Sequence, residues 1–234
     1  MRFISHNSRV PYASSPSAPR SRRSVPERPR AGRPTREQAQ QRGEELLDCA
    51  LEMFLDVGFE QATIEGIAAS AGMAKRTIYA RYPDKPALFR AAVQRAVDRW
   101  SVPIEALRSA ETPDLEETLI AVASLRLESV TSPDGMRLQR ILNAEAYRFP
   151  DISRLAYEQG TLPAVQFISD LLARHAVSGA IDIDDAELLG TSFLSLAVGG
   201  PAQGALWGVS LDRAAVDARI RACVRLFLDG VRPR

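Results

Sequence analysis

Between Thr63 and Lys85 the chain has room for two short helices and little else. Ile64, Ile67, Ala68 and Ala71 share one side of a helix that Thr63 can cap and that Gly72 should stop. A second apolar series, Ala74, Ile78 and Tyr82, starts directly after that glycine at four-residue spacing and is closed by Pro83 and Asp84. Upstream, Leu46, Leu47, Ala50, Leu51, Phe54 and Leu55 recur at helical spacing, with Glu44, Glu45, Asp48, Glu52 and Asp56 mostly on other faces. This predicts an amphipathic first helix from Arg36 to Gly58, where the glycine takes a left-handed position and Phe59 folds back as its apolar partner. Three helices in about fifty residues, the last two joined by a tight glycine turn, describe a helix-turn-helix.

The rest of the chain also reads as helix. A fourth helix is predicted from Lys85 to about Ser109, with Asp84 as its cap and Pro86 in its first turn. Others should run from Thr112-Pro113 to Thr131, from Met136 to Arg148, from Pro150 to Val177, from Asp184 to Trp207 and from Ser210 to Gly230. No alternating pattern is long enough to propose a strand, and no internal repeat is visible. The expected fold is all-α, with a three-helix domain over 37–84 followed by a larger helical domain over 85–234.

Charge is uneven. The net charge of the 234 residues is +1, yet residues 1–36 hold nine arginines against Glu27 alone. Six prolines punctuate the same stretch, and almost no apolar period runs through it, so burial cannot offset its ordering entropy. This segment is expected to be a disordered basic arm. Its Arg- and Ser-rich, acid-poor composition also resembles an organellar transit peptide. Cys49 and Cys223 fall inside apolar helical patterns and imply no disulfide framework. No segment approaches the eighteen consecutive apolar residues of a membrane span, and a soluble cytoplasmic protein without membrane partners is expected.

On the third helix, the side opposite Ile78 presents Arg76, Thr77, Tyr79 and Ala80, with Lys75 beside the N-terminus. A buried stripe behind, early polar groups in front and flanking cations suit a helix that lies in a DNA major groove. Arg76 is the best candidate for reading a base, because guanidinium pairs bidentately with guanine. Lys85 is a poor choice for stability, since a cation in a first turn opposes the helix dipole. A phosphate docked at that helix end would explain it. Taken singly, each of these residues is an ordinary solvated or packing group, and the case rests on the combination.

The run from Arg36 to Leu88 resembles the DNA-binding domain of the TetR family, above all in Thr63-Ile64-x-x-Ile67-Ala68-x-x-Ala71-Gly72 and Lys75-Arg76-Thr77-Ile78-Tyr79-x-x-Tyr82-x-x-Lys85-x-x-Leu88. The resemblance implies phosphate contacts from Thr63, Tyr79 and Lys85, and places Lys75, Arg76 and Thr77 in or beside the groove. Ala74 stands where the family often has a Ser cap, Arg76 replaces a commonly small residue, and Pro86 replaces the usual acidic one. Arg33 and Arg36, with the rest of the arm, are candidates to track an adjacent minor groove.

The C-terminal half resembles AefR-like and AcrR-like members of that family through the segment Asn143–Pro150. That resemblance implies a homodimer, a small-molecule effector pocket and a repressor released from its double-stranded DNA operator by the effector, with the fourth helix as the connecting lever. Candidate pocket residues are Tyr147, Phe149, Tyr157, Phe167, Phe193 and Trp207, with Glu145 and Arg148 as a possible polar end or an ordinary solvated pair. The small-residue side of the penultimate helix (Ser192, Ser195, Gly199, Ala202) and the apolar stripe of the last (Val216, Ile220, Cys223, Val224, Phe227) are candidates for a four-helix dimer interface, or else for each domain's own core.

Catalysis is not expected. The only histidines are His6 and His175, and no metal-ligand spacing, phosphate-binding loop or nucleophile elbow occurs, so neither metal nor cofactor is called for. A non-specific architectural DNA binder is the other reading, carried mainly by the arm.

Overall fold

In a computed structural model the described residues are 35–209 and 212–232, and every regular element among them is helical. Thr35 opens α1 (Arg36–Gln61) with a reciprocal cap: its side chain accepts from the Gln38 N–H at 3.2 Å, and the Gln38 side chain accepts from the Thr35 N–H at 3.0 Å. Gly58 interrupts the helix rather than ending it. Its φ of 79° is positive, as expected, but its ψ of 169° is extended, so the chain kinks and one more turn follows through Gln61.

Thr63 caps α2 (Ile64–Ser70) by accepting from the Gly66 N–H at 3.0 Å. Gly72, at φ 61°, closes it, with its N–H on the Ala69 carbonyl and the Met73 N–H on the Ala68 carbonyl, the bond pair that lets a left-handed glycine end a helix. The next helix, α3 (Lys75–Tyr79), is five residues long. Ile78 is its one buried side chain; Ala74, expected on the same stripe, is exposed ahead of the helix, and Tyr82 is half-buried beyond it.

Asp84 caps α4 (Lys85–Trp100) through the Ala87 N–H at 2.7 Å. The helix stops well short of Ser109. Pro103 has no N–H to give and biases Val102 away from helical geometry, so the chain turns extended at Ser101 and restarts as α5 (Ile104–Ser109). After α6 (Leu115–Thr131), Ser132 caps α7 (Pro133–Glu145). The single helix expected over 150–177 is divided into α8 (Pro150–Ala156) and α9 (Leu162–Val177) by a wide turn at Tyr157–Thr161 with i→i+5 bonding. A second wide turn, Ser195–Gly199, separates α10 (Ala186–Leu194) from α11 (Gly200–Leu206). Asp185, not Asp184, caps α10, and Asp212 caps α12 (Arg213–Val231); Ser210 lies outside the described residues.

The helices close around two apolar clusters. The first joins α1–α4 but also takes in Leu138 and Ile141 of α7, Phe149, and Ile152 of α8. At its centre Phe59 meets Phe89 at 5.1 Å and Phe149 at 4.9 Å between ring centroids, and Phe54 meets Phe89 at 5.0 Å. Each buried ring stabilises by about 1.5–3 kcal/mol. The exposed ion pairs along the same seam, such as Arg90–Asp151, contribute about 0–1 kcal/mol each, so the rings fix the junction. The second cluster packs α6, α9, α10 and α12 around Phe193, Ile168 and Leu172. Gly190 allows α9 and α10 to approach closely, since a Cβ there would lie 2.5 Å from Ser169 Oγ and 3.1 Å from the Val165 carbonyl.

Candidate nucleic-acid interface and cavity

The side of α3 opposite Ile78 carries Arg76, Thr77 and Tyr79, all exposed, Tyr79 to 47%. Ile78 is fully buried and acts as the anchor. Lys75, at the helix start, forms an ion pair with Glu65 of α2. Their hydrogen bond is the main reason why the lysine is held above, and the glutamate below, its ordinary pKa. Thr63 is exposed at the start of α2, and accepting from Gly66 leaves its hydroxyl proton unused by that bond. Arg36 is exposed at the start of α1, and Arg33 lies outside the described residues.

Lys85 is placed differently from a free phosphate ligand. Its ammonium group donates to the carbonyls of Phe59 (2.9 Å), Glu60 (3.1 Å) and Ala62 (3.0 Å) at the end of α1. A first-turn cation thus serves a neighbouring helix's C-terminal carbonyls, where positive charge is favourable. Arg81, which sequence reasoning did not single out, donates to the Ala39 carbonyl at 2.7 Å, and its guanidinium fills the space that a side chain on buried Gly43 would need. Asp48 of α1 accepts from Arg95 of α4 at 2.7 and 3.1 Å; that bond holds its carboxyl below the usual range, and Glu44 joins the pair at 3.7 Å.

Behind this unit, a cavity of about 320 Å³ opens between α6, α7, α10 and α11. Both wide turns border it, Tyr157 and Thr161 from one and Ser195, Val198 and Gly199 from the other. Wide turns of this kind recur at functional sites. Its remaining wall mixes Met136, Val165, Leu194 and Leu206 with Gln139, Asn143 and Gln203. Arg126 also reaches it, although its residue exposure is only 6%.

Of the six aromatic residues expected in a pocket, the structure brings only Tyr157 to this cavity. Phe149 is enclosed by Phe59 and Phe89 in the first cluster, and Phe193 packs on Phe227 in the second. Phe167 borders a separate surface hollow with Arg108 and Asp170, while Tyr147 and Trp207 are exposed to solvent. Arg148 lies over the Phe59 ring and pairs with Glu60 and Glu145, so that polar group belongs to the junction between the clusters. Ring size selected these residues, and large rings fill cores as readily as they line cavities. Arg126 carried a better signal: it shares a helical face with Leu119, Val122, Ala123 and Leu127, a charge at a core position.

The expected interface residues divide in a similar way. Ile220, Cys223 and Phe227 are buried against their own core and Val216 is partly buried, whereas Ser195 and Gly199 are exposed and border the cavity. The faces left open carry Leu188 and Leu196 near α10 and Leu226 on α12. Among the described residues no helix is long and apolar enough to cross a membrane.

Residues 46–92 match the family model for bacterial regulatory proteins of the tetR family, and residues 117–230 match that for the AefR-like transcriptional repressor C-terminal domain. The HTH-type transcriptional regulator RutR of Escherichia coli is 26% identical over 195 residues, covering 81% of this chain and 90% of the relative. SrpR of Pseudomonas putida, also an HTH-type transcriptional regulator, is 30% identical over 151 residues, 62% of this chain and 66% of the relative. Among solved structures, the flavonoid-responsive regulator FrrA superposes with a TM-score of 0.69 at 27% identity, covering 83% of this chain and 99% of that one. A TetR-family regulator from Mesorhizobium loti shares the fold, with a TM-score of 0.72 at 23% identity over 84% of this chain and 99% of its own.

Proposed function

Because the chain belongs to the TetR family of bacterial transcriptional regulators, we propose that this DNA-binding regulator acts as a homodimeric repressor and that a small molecule filling the cavity releases it from its operator. The observation that carries the reading is the outer face of α3, where Arg76, Thr77 and Tyr79 project from a helix anchored by Ile78 alone. Arg76 reads a guanine edge, and Thr63, Lys75 and Tyr79 meet flanking phosphates. Lys85 contributes by holding the end of α1 in place, with Arg36 and the basic arm adding non-specific attraction. The place of action is the cytoplasm.

Two such helices enter successive major grooves, about one turn of DNA apart. The effector acts through α7, which is a wall shared by cavity and reading unit. Met136 and Gln139 line the cavity, Leu138 and Ile141 lie in the first cluster, and Arg137 pairs with Glu52 and Asp56 of α1 at 2.9 and 2.7 Å. α4, expected as the lever as far as Ser109, ends at Trp100 and shares this task. A coupling of roughly 1–3 kcal/mol suffices for such a switch. The effector reading draws further support from FrrA, whose name records a response to flavonoids.

Selection of bound sites from random DNA tests the reading. A near-palindrome is expected for the wild type, and Arg76→Ala should cost about 1–3 kcal/mol and relax one base position per half-site. Exchanging Arg76, Thr77 and Tyr79 together for alanine without loss of affinity in a folded protein refutes it, and binding without any sequence preference favours an architectural protein instead.

A further inference from the structure

Arg126 is the most anomalous charged residue among those described. Its residue exposure is 6%, and its Nε has no hydrogen-bond partner. Burial pushes its pKa down, and no carboxylate among the described residues pairs with it to offset that effect. A guanidinium keeps its charge under any ordinary condition, and breaking or omitting the partner of a buried charge is strongly destabilising. The ligand-free protein therefore carries a cost that a bound anion would remove.

The side chain stands on the wall of the cavity bordered by both wide turns. Among the described residues, no Asp, Glu, Lys or other Arg lines that cavity. Its amides and hydroxyls (Gln139, Asn143, Thr161) sit beside an apolar wall of Val130, Val165 and Leu194. A single cation without a second one nearby suits a monoanion better than a phosphate ester, whose two charges call for more. A guanidinium fork matches a carboxylate bidentately.

Resting on the reading of this cavity as the effector site, we propose that its ligand is an organic monocarboxylate with a mainly apolar skeleton and that Arg126 binds the carboxylate. The same side chain also borders a small hollow beneath Val97, Trp100 and Ser101, so Arg126 links the cavity to the end of α4 as well as to α7.

The test uses the full chain with two matched probe pairs, octanoate against octanamide and phenylacetate against phenylacetamide, in calorimetric titration and thermal melting. A carboxylate of at least one pair is expected to bind and to raise the melting temperature, at roughly tenfold higher affinity than its amide. Arg126→Met should abolish that difference and raise the melting temperature of the ligand-free protein, because the unpaired charge is gone. Arg126→Gln, which keeps a polar group, provides the same comparison where the methionine variant does not fold. Amides that bind as well as acids, acid binding that survives both substitutions, or no carboxylate-dependent stabilisation in either pair overturns the inference. Operator binding measured in parallel keeps the two readings apart. Carboxylate held through Arg126 with operator affinity unchanged supports this inference and defeats release, whereas operator release by the amides but not the acids defeats this inference and leaves release standing.

Discussion

The ammonium group of Lys85 lies 4.5 Å from the centroid of the Phe59 ring and donates to the Phe59 carbonyl at 2.9 Å. The kink at Gly58 leaves carbonyls at the end of α1 without helical partners, and this one lysine satisfies those of Phe59, Glu60 and Ala62. Lys85→Met should therefore lower folding stability by about 1–3 kcal/mol, as well as weakening DNA binding. Denaturant unfolding decides the matter: a methionine variant as stable as the wild type means that the lysine is not structural.

Thr63 has two roles that substitution can separate. Asp caps a helix about as well as Thr, so Thr63→Asp should retain the bond to the Gly66 N–H and keep stability within about 1 kcal/mol. The same carboxylate repels phosphate, and operator affinity should fall by about tenfold or more. Equal affinity for the aspartate variant and the wild type would remove Thr63 from the interface.

The arginine partners of Asp48 and Asp151 hold both carboxyls below their ordinary pKa, chiefly through the hydrogen bonds from Arg95 and Arg90. A depressed folded-state pKa contributes stability that is present above the unfolded value of 3.8 and is lost as pH falls through the lower folded one. The α1–α4 and α4–α8 contacts should therefore weaken below about pH 4. Asp48→Asn should flatten the acid limb of the stability profile without altering its shape near neutrality, and an unchanged acid limb would show that the Arg95 bond is solvent-screened.

Ile220, Cys223 and Phe227 are occupied inside their own core, so in the proposed homodimer the opposite side of α12 is the one expected to meet a second copy. Leu226 is 66% exposed there. Leu226→Glu should yield a folded monomer in sedimentation, with operator affinity lower by about a hundredfold or more because two half-sites no longer act together. A variant that remains dimeric would move the interface elsewhere.

Much of the reading unit was legible because its signals are local. Thr63, Gly72 and Asp84 are caps and stops whose chemistry acts within a few residues, and Ile78 follows from spacing alone. The cavity was not legible in that way. Its wall comes from helices far apart in sequence, and aromatic size does not distinguish Phe149, locked between Phe59 and Phe89, from Tyr157, which borders open space. The wide turns at Tyr157–Thr161 and Ser195–Gly199 lead into Leu162-Pro163 and Gly200-Pro201, whose prolines cannot donate a backbone bond to the preceding turn, but the apolar period runs through both places and long helices were expected across them. The bonds that Lys85 makes within the fold were not legible because its acceptors lie more than twenty residues earlier, where only tertiary packing brings them into reach.

α3 has five residues and one buried side chain. A segment of that length cannot nucleate a helix by itself, because fixing the first turn costs more than its single hydrogen bond returns. Its shape is imposed by Ile78 seated in the first apolar cluster, so its order depends on a single anchor. A disturbance that slackens the seat by a small fraction of the global folding free energy melts the probe while the rest of the molecule stays intact. Shape selectivity for DNA in this protein is thus a property of the socket rather than of the helix.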